Sequence, residues 1–337
     1  MLKNTLKRFL MGGLLLLSLP SALVNALEVS LYVSEPEEIN TTSALIKGHS
    51  EMMVVSAQPN ISAATRLANE IEATGLELKY IFLTHAHLDH FQGASVLLKR
   101  FPNARFIATP DVAELQRKRI AVSDDLARSR YGDNAAVPSP IVAPYNEDTI
   151  FIDGQPVELS RGFYGDVALG EPDEPHTVAY VPSAHTLIPS DIIYYNGHVM
   201  MGGSTKESRR IWLTQINHWL KQDYKMVIPG HMPKGSDLTP MGALTHTRDY
   251  IMAYDLALEN HDNAEDVIAE MKRQFPTIGH ESALLIGTYM NFKVMHKLLF
   301  NPTVETIFSI LPDALAKWID EKIYESKKAD WQGEHIH

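Results

Sequence analysis

Residues 84–90 read Thr-His-Ala-His-Leu-Asp-His, placing three imidazoles and a carboxylate in seven positions. The 337-residue chain contains no cysteine. Any metal site must then be built from His, Asp and Glu. That donor set suits zinc or another borderline-to-hard divalent ion and rules out an iron–sulfur cluster. The preceding LKYIFLT reads as a buried strand, so His85 and His87 lie just past a strand end, where α/β proteins place ligand groups. Histidines at i and i+2 of extended backbone point the same way and can reach one ion. Asp89 and His90 lie beyond a bend and can face a second point nearby. A surface loop can hold one histidine by chance; four ligand-type residues at this spacing point to a metal centre.

Four residues do not complete two metal sites. Two later stretches qualify as donors: PHT, with His176, and VIPGH, where His231 follows another apolar strand. Gly230 gives the backbone freedom to turn there. Apolar runs 177–181 and 186–190 flank Pro182-Ser183-Ala184. A hairpin centred near 183.5 would bring His176 and Asp191 together at its open end. The same folding puts His185 beside the turn, so His185 reads as a surface residue and not a ligand.

The elements that must position these groups alternate. Strands are predicted over 27–57, a helix over 61–74 stopped by Gly75, then the strand leading to the motif. Residues 90–101 read as a helix, 104–110 as a strand, 112–131 as a helix and 132–147 as a loop with the composition of a lid. Strands return at TIFI, PVELSRGF, HTVAYV and TLIPSDIIYY, followed by a helix over about 205–221 and the strand YKMVIPGH. From Leu238 to about Lys327 the pattern is helical, with breaks near Asn263 and Thr277 and at Pro302. Residues 328–337 read as a loose tail. Strands with interspersed helices, twice over, imply α/β layers of helix on sheet, not purely parallel because of the hairpin.

The order HxHxDH, a lone His, an Asp, then a His after Pro-Gly resembles the metallo-β-lactamase-fold hydrolases over residues 42–233. The resemblance implies an αβ/βα sandwich over 27–237, here with a helical C-terminal extension over 238–327 packed on the same domain. It implies a dinuclear centre at the edge of two sheets. His85, His87 and His176 would hold the first of two zinc ions, Asp89, His90 and His231 the second, and Asp191 would bridge them. Iron or manganese suits the same ligands. Ser190 stands where the family often has Gly, and Ser56 follows a strand where many members have Asp. The antibiotic-cleaving branch has Cys at the position of Asp191 and Arg at that of His90. The pattern here is the broader one shared by lactonases, thioesterases and phosphodiesterases.

Two zinc ions about 3.5–4 Å apart share a water and lower its pKa, giving a hydroxide that attacks an acyl carbon or phosphorus. Asp89 would orient it, and no GxSxG nucleophile elbow is present. Tyr194, three residues after Asp191, resembles a tyrosine of the lactone-cleaving members and is the candidate donor to a developing oxyanion. Tyr195 can fill the same role or pack on the sheet. His198 and Lys206 read as surface or outer residues. Met252, Met290, Met295, Tyr250, Tyr289 and Phe292 read as core at helical spacing, before an acyl-tail pocket.

Residues 1–26 carry Lys3, Lys7 and Arg8, a short apolar run and Val24-Asn25-Ala26, the layout of a cleaved secretory signal peptide. The apolar run is short for a membrane span and holds Gly12, Gly13 and Pro20. Cleavage after Ala26 would take the formal net charge from −11 to −14. An acidic, exported protein disfavours nucleic acid and a cytosolic thioester as partners. The leading expectation is a periplasmic or secreted zinc hydrolase opening a β-lactam or a lactone such as an acyl-homoserine lactone. The alternatives are a small-molecule phosphodiesterase on the same fold and, less favoured with all seven ligand positions filled, a non-catalytic metal- or ligand-binding protein.

Overall fold

The computed structural model describes residues 26–167 and 174–295. The expected leader over 1–26, apart from Ala26, lies outside the described residues, as do the break at Pro302 and the tail over 328–337.

The chain opens as an antiparallel meander of β1 (Glu28–Val33), β2 (Thr42–Lys47) and β3 (Glu51–Val55). Helix α1 (Ile61–Ala73) then returns it to β4 (Glu77–Leu83), parallel to β3. Asn60 starts α1 by accepting the Ala63 N–H at 2.9 Å, and Ala63, Ala64, Leu67, Ala68 and Ile71 form its buried face. Beyond β4 come α2 (Leu88–Phe91), α3 (Ala94–Arg100), β5 (Arg105–Ala108), α4 (Pro110–Tyr131) and the two-residue β6 (Ala143–Pro144). Strands β1 to β6 lie in sequence order in one six-stranded sheet.

The second sheet has the order β11-β10-β9-β8-β7. Its members are β7 (Thr149–Ile152), β8 (Gln155–Phe163), β9 (His176–Val181), β10 (Thr186–Tyr194) and β11 (Met226–His231). The β7–β8 turn is Asp153-Gly154, both at positive φ, the two-residue loop whose twist matches a hairpin. Pairs Thr186–Val181, Leu187–Tyr180 and Ile188–Ala179 centre the β9–β10 hairpin where the sequence predicts, and His185 is exposed beside its turn. Helix α5 (Lys206–Trp219) crosses from β10 to the parallel β11. Helices α6 (Pro240–Asn260), α7 (Ala264–Gln274) and α8 (Glu281–Asn291) follow.

Three buried clusters define the layers. Leu67, Ile71, Ile81, Leu83 and Leu97 join α1 and α3 to the first sheet. Ile46, Met53, Val55 and Phe82 meet Ile150, Val157, Ala179, Val181 and Ile228 between the sheets. Ile192, Trp212, Val227, Tyr250, Tyr254, Val267, Met271 and Leu284 join the second sheet to α5–α8. The result is an αβ/βα sandwich whose C-terminal helices belong to its outer layer.

Four readings need correction. The helix expected over 90–101 is broken at Gln92-Gly93. There the backbone presses on Ala57 so closely that a Cβ at residue 93 would lie 2.1 Å from its carbonyl oxygen. The 132–147 segment adds β6 to the sheet and is tied to α4 through Ser139 on the Asp124 carboxylate and Gln116 on the Pro140 carbonyl. His198 is buried, with Nδ1 3.0 Å from the Tyr250 hydroxyl, and burial pushes it down to about 4. Met252 is 55% exposed, on the face of α6 opposite buried Tyr250, Ile251 and Tyr254. Tyr250 and Tyr289 are core, Phe292 and Met295 pack partly against it, and Lys206 is a surface cation paired with Glu259 at 2.8 Å.

Candidate metal centre

The loop after β4, the start of β9, the end of β10 and the end of β11 converge on one edge of the sandwich. Thr177 N–H donates to the Thr84 carbonyl at 2.8 Å, stitching β9 to the end of β4. Thr42 donates to the Pro229 carbonyl at 2.5 Å, and Thr41 bridges to His231, stitching β2 to β11. These bonds bring residues 85–90, 176, 191 and 231 together. Gly230 is required there: a Cβ would lie 1.8 Å from Asp191 Oδ1.

Among the described residues, two groups place their ligand atoms within 4.8 Å of one another: His85, His87, Asp166 and Asp191, and Asp89, His90 and His231. All seven are buried. Asp191 touches both groups. Its Oδ2 is 3.0 Å from His85 Nε2, 3.3 Å from His87 Nδ1 and 3.4 Å from His231 Nε2, while Oδ1 is 2.9 Å from His90 Nε2. Asp89 Oδ2 lies 3.2 Å from His90 Nε2 and 3.4 Å from His231 Nε2, and the Thr41 hydroxyl donates to it at 3.1 Å.

Outer partners aim the rings. Nδ1 of His85 is hydrogen-bonded to Thr84, Nδ1 of His90 to Ser56, and Nδ1 of His231 to the Ile39 carbonyl. Each of these three rings thereby presents Nε2 inward. His87 is reversed: Nδ1 faces Asp191, and Nε2 lies 3.1 Å from Glu174, which Arg119 of α4 holds at 2.7 Å. Ser56, at φ +71°, supplies the hydroxyl that fixes His90.

His176 stands beside these groups and outside both. Its ring stacks on His85 at 4.8 Å, its Nε2 donates to the Asp166 carbonyl at 2.9 Å, and its buried Nδ1 has no hydrogen-bond partner. Tyr194 is buried, stacks on His231 at 5.1 Å and gives its hydroxyl hydrogen to the Asp166 carboxylate. Tyr195 points elsewhere and donates to the Asp237 carbonyl at 3.1 Å.

The electrostatics suit cations. Burial opposes charge on Asp191 and Asp89, but the surrounding histidines outweigh it and hold both carboxyls below the usual range. Burial likewise opposes charge on His90, yet Asp191 and Asp89 push it up to about 10. Burial keeps His85 and His176 neutral, His176 down at about 4. Ionised carboxylates, inward imidazoles, and the buried His85 Nε2 and Asp166 Oδ1, which lack hydrogen-bond partners, fit a dinuclear divalent metal site.

Sequence reasoning missed Asp166, Glu174, Arg119 and His280. Asp166 and Glu174 sit in the acid-rich stretch before His176 with no motif of their own; proximity to a ligand candidate was their one signal. His280, at the start of α8, donates to the Ile39 carbonyl and lies 4.8 Å from the His231 ring, so the helical segment reaches the site.

A beta-lactamase domain protein from Burkholderia ambifaria is similar in fold, with 16% identity and a TM-score of 0.53 over 79% of this chain and 87% of that one. A metallo-beta-lactamase family protein from Thermus thermophilus is similar at 16% identity and a TM-score of 0.52, over 78% and 93% of the two chains. No curated protein sequence matches the chain. The model of the metallo-beta-lactamase superfamily matches residues 56–231, just over half of the sequence, and its span holds both ligand groups. The chain therefore belongs to the metallo-beta-lactamase superfamily.

Proposed function

We propose that this chain is an exported dinuclear zinc hydrolase that opens a neutral cyclic acyl substrate, a lactone or a β-lactam. The observation that carries the reading is Asp191, whose two carboxylate oxygens reach histidines of both buried groups. Two divalent cations held there supply a nucleophile from water near neutral pH and positive charge against the developing oxyanion. Asp89, ionised and fixed by Thr41, orients the attacking water. Thr84, Ser56 and Ile39 keep the three Nε2-inward histidines from rotating as charge develops. Tyr194 has its hydroxyl on Asp166, so the oxyanion role expected from the sequence would require it to leave that carboxylate.

Charge supports an acyl substrate over a phosphate. Asp89 and Asp191 are held ionised, burial pushes Asp166 up to about 8 so that its charge would come with a bound cation, and the three together would offset most of the charge of two divalent ions; Arg119 is paired with Glu174. An anionic phosphodiester would meet little uncompensated positive charge, which a neutral lactone does not need. The aspartate at 191 and histidine at 90 match the broad hydrolase pattern and not the antibiotic-cleaving one, which favours the lactone. Export rests on the leader-like residues 1–26; a mature N-terminus at Leu27 in a periplasmic fraction would support it, and recovery of the chain in the cytoplasmic fraction alone, with Met1 intact, would sink it.

The test is an activity panel on the zinc-loaded protein: a chromogenic cephalosporin, a long-chain acyl-homoserine lactone and bis-p-nitrophenyl phosphate, each beside Asp89→Ala. Ring opening lost in the variant is the expected outcome. Turnover of the phosphate diester alone would overturn the acyl reading in favour of a phosphodiesterase.

A further inference from the structure

The first ligand group contains a carboxylate that the family motif does not provide. Asp166 lies in the segment between β8 and β9, is 3% exposed, and shares the 4.8 Å group with His85, His87 and Asp191. Its two oxygens have different fates. Oδ2 accepts the Tyr194 hydroxyl, whereas Oδ1 is buried with no hydrogen-bond partner, 3.6 Å from the inward Nδ1 of His87. A buried carboxylate oxygen with no hydrogen bond, and a histidine only at 3.6 Å, is costly unless a cation satisfies it. The segment is also pinned through its backbone, because the Asp166 carbonyl accepts from His176. Gly165 makes that possible: a Cβ there would press to 3.0 Å against both His176 Cε1 and Ile192 Cγ1.

Resting on the reading of a dinuclear centre above, we propose that Asp166 is a ligand of the first metal position and that Tyr194 is the residue that positions it. The first position then draws two imidazoles, the bridging carboxylate and a second carboxylate. His176, whose Nε2 is occupied by the Asp166 carbonyl, holds that segment in place. The added carboxylate hardens the donor set and moves its preference toward manganese or iron relative to a three-histidine site.

The test is metal binding, read without turnover. Full-length protein is stripped with chelator and titrated with Zn2+ and with Co2+. Stoichiometry is read by elemental analysis, affinity by calorimetry and coordination by the cobalt visible spectrum. Wild type is expected to hold two equivalents. Asp166→Asn, which keeps the shape and the contact to Tyr194, is expected to weaken the first equivalent by at least about 100-fold and alter the cobalt bands. Tyr194→Phe is expected to weaken it about 10-fold with the bands retained. Asp166→His, which replaces one donor with another, keeps two equivalents with shifted bands and separates ligation from folding. Two tightly held equivalents and an unchanged cobalt spectrum in Asp166→Asn would overturn this proposal while leaving the dinuclear centre intact. Wild type that holds no metal would overturn both.

Discussion

At the scale of single residues the centre is tightly constrained, and substitutions there have defined outcomes. Gly230→Ala forces its Cβ into Asp191 Oδ1. The expected result is a loss of about 1–3 kcal/mol in unfolding free energy together with lower bound metal, measured by denaturant titration and elemental analysis. Ser190 holds φ +50°, a left-handed backbone that costs an L-residue about 1 kcal/mol, which accounts for the glycine often found in the family. Ser190→Gly should leave metal content unchanged and raise stability by up to about 1 kcal/mol; a fall in stability would contradict the strain argument. Glu174→Gln removes the charge facing His87 Nε2, and metal affinity should drop about 10-fold in calorimetry. The motif ligands were legible because short spacing after an apolar strand places them by local geometry alone. Asp166 was not, because its approach depends on Gly165, His176 and Tyr194, which come from other parts of the fold.

At the scale of elements, the β9–β10 hairpin was legible to the residue, since apolar runs around a Pro-Ser-Ala turn fix its centre. The break between α2 and α3 was not. It follows from the close pass of Gly93 over Ala57, a tertiary contact that overrides helical periodicity. The β7–β8 turn carries a separate, pH-dependent device. Asp153 accepts backbone N–H groups of His49, Ser50 and Glu51 at 2.6, 2.8 and 3.1 Å, and the Ser50 hydroxyl as well. Ser50 is the main cause, and the turn holds the carboxyl down at about 2. A depressed carboxyl stabilises fully above its unfolded value of about 3.9 and loses that contribution as pH falls toward 2. The stability gap between wild type and Asp153→Asn, followed by thermal unfolding from about pH 5 to about pH 2, should therefore shrink across that window. A gap independent of pH would disprove it.

At the scale of the molecule, the helical run after residue 237 reads from sequence as an extension packed on the catalytic domain. Its periodicity was readable; its partner was not, since amphipathic spacing does not say which sheet it covers. In the structure α6–α8 bury Tyr250, Tyr254, Met271 and Leu284 against Ile192, Trp212 and Val227. A chain ending at residue 237 would leave that face of the second sheet in water. It should be recovered as insoluble or molten material with no cooperative thermal transition; a soluble, cooperatively folding fragment would show that the helices are dispensable.

One carbonyl has a bearing on timing. Ile39 receives both the His231 ring and the His280 ring, partners 192 and 241 residues away in sequence. Closing loops of that size is slow, so this corner sets late, after the local hairpins and helices. Metal affinity should then mature last in refolding, and a half-finished chain would emerge with its ligands unassembled and weak in their hold on any ion it met.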